Sequence, residues 1–137
     1  MIVKIAAAAV LVWSCASYAI PAAPAVAADD AEPRFDYLLN CAGCHRTDAS
    51  GSEAVPPLTT LAPFVGTSDG RSYLVRVPGV AQAPLSDERL AALLNWALVE
   101  FSGARDFAPY SASEVALLRV EPLRAPRVER ERIMGAR

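Results

Sequence analysis

Cys41-Ala42-Gly43-Cys44-His45 is the stretch of this 137-residue chain whose residue types and spacing carry chemistry. Two thiols three positions apart, followed at once by an imidazole, have the C-x-x-C-H form of a covalent c-type haem attachment site. In such a site each thiol forms a thioether with a haem vinyl group and the histidine binds the iron from the proximal side. His45 is the only histidine in the sequence, and Cys15 is the only cysteine outside the motif. Two other chemistries use similar donors. Zinc would find three soft ligands here and no clear fourth, where a structural site wants a closed tetrahedral set. A redox-active C-x-x-C of the thioredoxin kind needs alternating strands and helices around it, a pattern this sequence lacks. The motif therefore favours one haem c, covalent through Cys41 and Cys44 with His45 as iron ligand, over a metal or redox-thiol site.

The beginning of the chain agrees with that chemistry, because covalent haem proteins are exported. Met1-Ile2-Val3-Lys4 supplies a short positive end, and Ile5 to Trp13 is an apolar run too short to span a bilayer as a helix. Ala25-Val26-Ala27 fits the small-residue cleavage rule, with Ser17-Tyr18-Ala19 as a second candidate. Residues 1–27 are thus expected to be a signal peptide and the protein to be periplasmic, with no membrane span in the mature chain. An uncleaved anchor and a lipid on Cys15 are the competing readings; Trp13 in the preceding residues fits the lipid motif poorly.

Removing 1–27 leaves about 110 residues, the size of one small domain. A core that thin gains much from an apolar macrocycle bonded into it. The only lysine, Lys4, leaves with the signal, so every later basic residue is arginine, and the whole chain carries a formal charge of -2. That balance makes nucleic acid an improbable partner. Acidic residues Asp29, Asp30, Glu32 and Asp36 crowd the mature N-terminus, while Arg119, Arg124, Arg127, Arg130, Arg132 and Arg137 dominate the end.

Helix signals recur along the chain and nothing alternates well enough to be a strand, which predicts an all-α fold. Phe35, Leu38 and Leu39 sit at helical spacing between Pro33 and Cys41, on an element that would deliver the cysteines. From Arg46 to Thr60 the chain is rich in Ser, Thr, Gly and Pro and reads as a loop. A short helix is expected over 70–77, then a loop to Leu85. Ser86 is an N-cap with Asp87 and Glu88 in the first turn, and Leu90, Leu93, Leu94, Ala97, Leu98 and Phe101 continue at three- and four-residue spacing to Gly103. Ser111 and Glu114 have the form of a capping box opening a helix to Leu118 or Val120, before Pro122.

A helix feeding C-x-x-C-H, a Gly/Pro loop, a middle helix and a long final helix together resemble the small monohaem cytochrome c family over Pro33 to Gly103. The resemblance implies a cytochrome c domain over 28–110, a small helical domain wrapped around one haem, with 111–137 as a C-terminal helix and Arg-rich tail. It implies that Tyr37 and Trp96, in the leucine-x-x-aromatic pattern begun by Leu93, touch across two helices; ordinary core packing predicts the same contact. It also implies that in Pro56-Pro57-Leu58 a proline carbonyl, best Pro56, accepts a hydrogen bond from the proximal histidine.

The sixth iron ligand departs from that family. Its electron carriers usually present a methionine before the last main helix, and here the loop reads Val77-Pro78-Gly79-Val80-Ala81-Gln82-Ala83-Pro84-Leu85. Gln82 stands where the methionine is expected and lines the distal side as a weak ligand at most. Met134 in the tail, Tyr73 and Tyr110 are the other donors, and Arg71 or Arg76 could lend positive charge unless each is simply a solvated helix residue. A filled sixth position implies a periplasmic c-type cytochrome carrying one electron to or from a redox partner protein, a carrier and not an enzyme. An open one implies a binder of NO, CO or peroxide. A haem subunit of a larger oxidoreductase, with the tail as docking arm, is a third reading.

Overall fold

A computed structural model of the protein describes residues 31–135. The expected signal peptide, its cleavage sites, Cys15, Asp29 and Asp30 lie outside the described residues. Within them the fold is all-α, with helices α1 (Ala31–Asn40), α2 (Ala42–His45), α3 (Ser68–Arg76), α4 (Pro78–Ala81), α5 (Asp87–Ser102), α6 (Ala112–Leu118) and α7 (Pro126–Gly135). Short 3-10 turns cover Leu58–Thr60 and Ala62–Gly66. Among the described residues no helix is long and apolar enough to cross a membrane.

Helix α5 is the spine, packed against α1, α6 and the 58–60 turn. Its ends are set by the sequence. Ser86 Oγ accepts the Arg89 N–H at 3.3 Å, and Gly103, at φ 66°, closes the helix in the left-handed conformation that glycine adopts without a Cβ penalty. Leu90 and Leu98 are each 1% exposed, and a leucine buried this fully stabilises the fold by about 2 kcal/mol.

Helix α1 meets α5 through a face different from the one its apolar spacing predicts. Phe35, Leu38 and Leu39 are exposed, and Pro33, Asp36 and Tyr37 point inward. Asp36 can be buried because Arg89 reaches it from α5 with both a short Nη2 contact to Oδ1 and a 3.1 Å bond from Nε to Oδ2. Tyr37 touches Trp96 at 5.8 Å between ring centroids and Phe101 at 4.7 Å, so the expected Tyr37–Trp96 contact is present, with Phe101 as an additional partner.

The C-terminal segment is structured by polar contacts to the helices before it. Ser111 Oγ caps α6 by accepting the Glu114 N–H, but Glu114 turns its carboxylate to Arg71 (2.9 and 2.7 Å), so only half of the capping box forms. Arg71 also donates to the Ala108 carbonyl and lies 4.1 Å from the centre of the Tyr110 ring. Beyond Pro122, in the stretch read as an Arg-rich tail, the chain forms α7, which folds against α3. It buries Ile133, pairs Arg132 with Asp69 at 2.8 Å, and lays Arg130 over the Phe64 ring at 4.9 Å.

Candidate functional site

The motif sits at a sharp joint between two helices. The Cys41 N–H closes α1 on the Tyr37 carbonyl at 2.9 Å, and the Cys41 carbonyl then accepts from Cys44 (3.1 Å) and His45 (2.9 Å), which makes α2 a single turn. Cys41 is half-buried against the core and Cys44 is exposed; both thiols are free. Burial, then the Asp36 carboxylate and Cys44, push the Cys41 thiol up to about 11. An attacking thiol needs the opposite shift, so Cys41 is not prepared as a nucleophilic thiolate. Among the described residues no three His, Cys, Asp or Glu side chains form a group that could hold a metal ion.

Arg46 (φ 62°, ψ 167°) and Ala49 (φ 60°) follow at positive φ, which costs side-chain-bearing residues roughly 1 kcal/mol or more each. The surroundings hold them there. The Tyr37 hydroxyl donates to the Arg46 carbonyl, Leu58 N–H to the Ala49 carbonyl at 2.9 Å, and Gly51 N–H to the His45 carbonyl at 3.1 Å. Ser52 and Val55 exchange backbone bonds across the tip of the loop.

This folding returns the chain to His45, whose Nδ1 lies 3.1 Å from the Pro56 carbonyl oxygen. A carbonyl only accepts, so Nδ1 carries the proton and the lone pair is on Nε2. Burial lowers the His45 pKa and the Pro56 bond partly offsets that effect, which favours the neutral imidazole, with Nε2 turned away from the carbonyl. The Pro56 partner expected from the resemblance is therefore the one observed.

Gly51 is the residue that sequence reading passed over. Its φ is +70°, and a Cβ there would meet the Val55 oxygen at 2.3 Å and the Pro56 carbonyl oxygen at 3.0 Å. Only glycine lets the loop close tightly enough to bring Pro56 to His45. A glycine inside a polar run was the available signal, but a turn needing glycine and a flexible loop look alike in sequence.

The segment carrying Gln82 differs from the expected loop, since Pro78–Ala81 forms one helical turn started by Pro78. Gln82 is its exposed C-cap, with its N–H on the Pro78 carbonyl at 3.0 Å. Arg119, from the end of α6, spreads its guanidinium over the segment: Nε to the Ala81 carbonyl (3.1 Å), Nη2 to Ala83 (2.7 Å), and Nη1 to Leu85 (3.0 Å) and to the Asp87 carboxylate (3.1 Å).

The remaining sequence candidates are engaged elsewhere. Met134 lines an open groove of about 470 Å³ with Pro56 and Pro57, beside the carbonyl that takes the Nδ1 edge of His45, whereas an iron on His45 would lie at Nε2. Tyr73 is buried and stacked on Phe64 at 5.1 Å, and the Tyr110 hydroxyl donates to the Arg71 carbonyl at 3.1 Å. Arg71 is committed to Glu114 and Tyr110, and Arg76 to the Glu121 carbonyl at 2.7 Å. Neither arginine is a plain solvated helix residue. No known protein family, curated protein or solved structure matches the chain.

Proposed function

We propose that this protein is a periplasmic c-type cytochrome of the small monohaem kind, carrying one electron between redox partner proteins on a haem held by Cys41, Cys44 and His45. The single observation that carries the reading is the His45 Nδ1 to Pro56 carbonyl bond at 3.1 Å, because it prepares the imidazole as an iron ligand. The donor chemistry fits the group: two free thiols flank one helical turn, and the neutral histidine that ends it keeps Nε2 for the metal. The haem, when bound, supplies a one-electron couple that changes little in shape between oxidation states. The chain's own residues attach it, orient the imidazole and exclude water. Half-buried Leu58, Leu61, Val77, Val80, Leu85 and Leu94 offer apolar surface for that last task.

The test is expression with periplasmic cytochrome maturation. The protein is expected to stay red after acid-acetone extraction and to lose its pigment in the Cys41→Ala, Cys44→Ala double variant. Pigment retained by the double variant would sink the attachment reading.

One observation favours a second reading in which the distal position binds a small ligand such as NO, CO or peroxide. The segment preceding α5 holds Gln82 where related carriers hold methionine, and Met134 lines the groove next to Pro56. Ferrous protein that takes up carbon monoxide readily, and a Gln82→Met variant that turns six-coordinate with a higher potential, would support it. A native ferrous spectrum indifferent to carbon monoxide would leave the electron carrier alone.

A further inference from the structure

We propose that α7 sets the strength of the His45–Pro56 hydrogen bond through Arg130 and Thr60, and so tunes the reduction potential of the iron; this rests on the haem reading above. Three contacts form the connection. Arg130 Nη2 donates to Thr60 Oγ1 at 3.0 Å, Thr60 Oγ1 donates to the Pro57 carbonyl at 3.1 Å, and His45 Nδ1 donates to the Pro56 carbonyl at 3.1 Å. The Thr60 hydroxyl has one proton, already committed to Pro57, so its lone pair is what receives Arg130. A hydroxyl that accepts from a cation becomes a better donor, which tightens its hold on Pro57.

Pro56 and Pro57 transmit this hold because both rings fix φ, with Pro57 at φ -67° and ψ 144°. The fixed φ of Pro57 ties the plane of the Pro56 peptide to the Pro57 ring, so a hold that keeps Pro57 in place also limits movement of the Pro56 carbonyl. At the other end Arg130 is itself fixed, with its guanidinium 4.9 Å from the centre of the fully buried Phe64 ring. Helix α7 is seated by Ile133 and by the Arg132–Asp69 ion pair. Alongside, the open groove lies between Glu131 and Met134 of α7 and Glu53 and Pro56 of the loop. The polar connection at Thr60 joins helix to loop beside this groove.

A firmer bond from Nδ1 makes the imidazole a stronger electron donor, which favours ferric iron and lowers the potential. Arg130 and Thr60 are positioning residues in this scheme and touch neither iron nor haem.

The experiment compares the haem-loaded parent with Thr60→Val, Thr60→Ser and Arg130→Gln. In ferrous protein made low-spin and diamagnetic, by its own sixth ligand or by carbon monoxide, proton NMR reads solvent exchange of the His45 Nδ1–H. Thr60→Val is expected to speed that exchange roughly threefold, the scale of a modest hydrogen-bond loss. Its potential should rise by about 28 mV, a threefold change at 59 mV per tenfold for one electron. Thr60→Ser should restore both values. Arg130→Gln should speed exchange similarly while raising the potential less, because the lost positive charge acts in the opposite direction. Thr60→Val matching the parent in exchange and potential, with haem still attached, overturns the proposal. Exchange unchanged in Arg130→Gln alone removes α7 from it. A parent that loses its haem to acid-acetone overturns the haem reading itself, which is a separate outcome.

Discussion

The segment from Arg46 to Leu58 is closed mainly by bonds among the motif and the loop, with Tyr37 reaching its first residue and Arg130 only Thr60 beyond it, whereas the carbonyls from Ala81 to Leu85 are gathered by Arg119, 34 to 38 positions further along the chain. In the first, the Gly51, Leu58 and His45 bonds all join residues of the motif or the loop, and glycine supplies the one conformation that sequence alone cannot improvise. In the second, one guanidinium supplies bonds to three backbone carbonyls that would otherwise lack a partner. The difference suits the proposed chemistry. In the proposed cytochrome, a methionine-to-iron bond would tie the second segment down from inside; this chain ties it from outside through Arg119.

The largest effect that separates the two regions is expected from Arg119→Ala. It removes a mostly buried guanidinium whose bonds are charge-assisted, and the loss should be about 3 kcal/mol in reversible denaturation. Hydrogen exchange of the holoprotein should then quicken at the Gln82 and Ala83 amides and stay unchanged at Gly51 and Leu58. Uniform acceleration at all four amides would mean that the two segments are one cooperative unit and that the contrast is false.

Next in size is Gly51→Ala, the reciprocal change. The left-handed backbone and the 2.3 Å approach of a new Cβ to the Val55 oxygen together should cost about 2 kcal/mol. Its local signature is the opposite one: faster exchange at Leu58 and the His45 imidazole, with Ala83 protected as before. A variant as stable as the parent would show that the loop tolerates a side chain there and that Pro56 needs no such close approach.

The motif and the helix ends were readable in the sequence, whereas Gly51 in the loop and the Arg119 contacts were not, for a physical reason. C-x-x-C-H, the Ser86 and Ser111 caps and Gly103 all act over a few residues, so their spacing is their signal, whereas Pro56, eleven residues from His45, was expected only from the family resemblance. Arg119 acts across more than thirty residues, and an arginine gives no periodic sign of which carbonyls it will reach. Helix α7 escaped for a related reason: it buries Ile133 but is otherwise fixed by Arg130 and Arg132, so no apolar stripe announces it. The inverted face of α1 has the same origin, because burying Asp36 depends on Arg89 in a distant helix.

The smallest expected effect comes from Tyr37→Phe, which trims the self-held region at its first anchor. The ring would still pack against Trp96 and Phe101, so only the hydroxyl bond to the Arg46 carbonyl is lost, at about 1 kcal/mol. The change also has a pH signature. Burial first, then Cys41 and Asp48, push the Tyr37 hydroxyl up to about 12 from its ordinary 10. A group whose folded pKa is raised contributes stability that is complete below the unfolded value and is lost as pH climbs through the folded one. The parent should therefore weaken between about pH 10 and 12, and Tyr37→Phe should weaken less steeply over that window; buried Tyr73 and Tyr110, raised in the same direction, keep a residual slope. Urea denaturation of both proteins across that window measures it. Identical slopes would mean that Tyr37 ionises as freely in the folded protein as in the unfolded chain, and Arg46 would then owe its positive φ to the loop bonds alone.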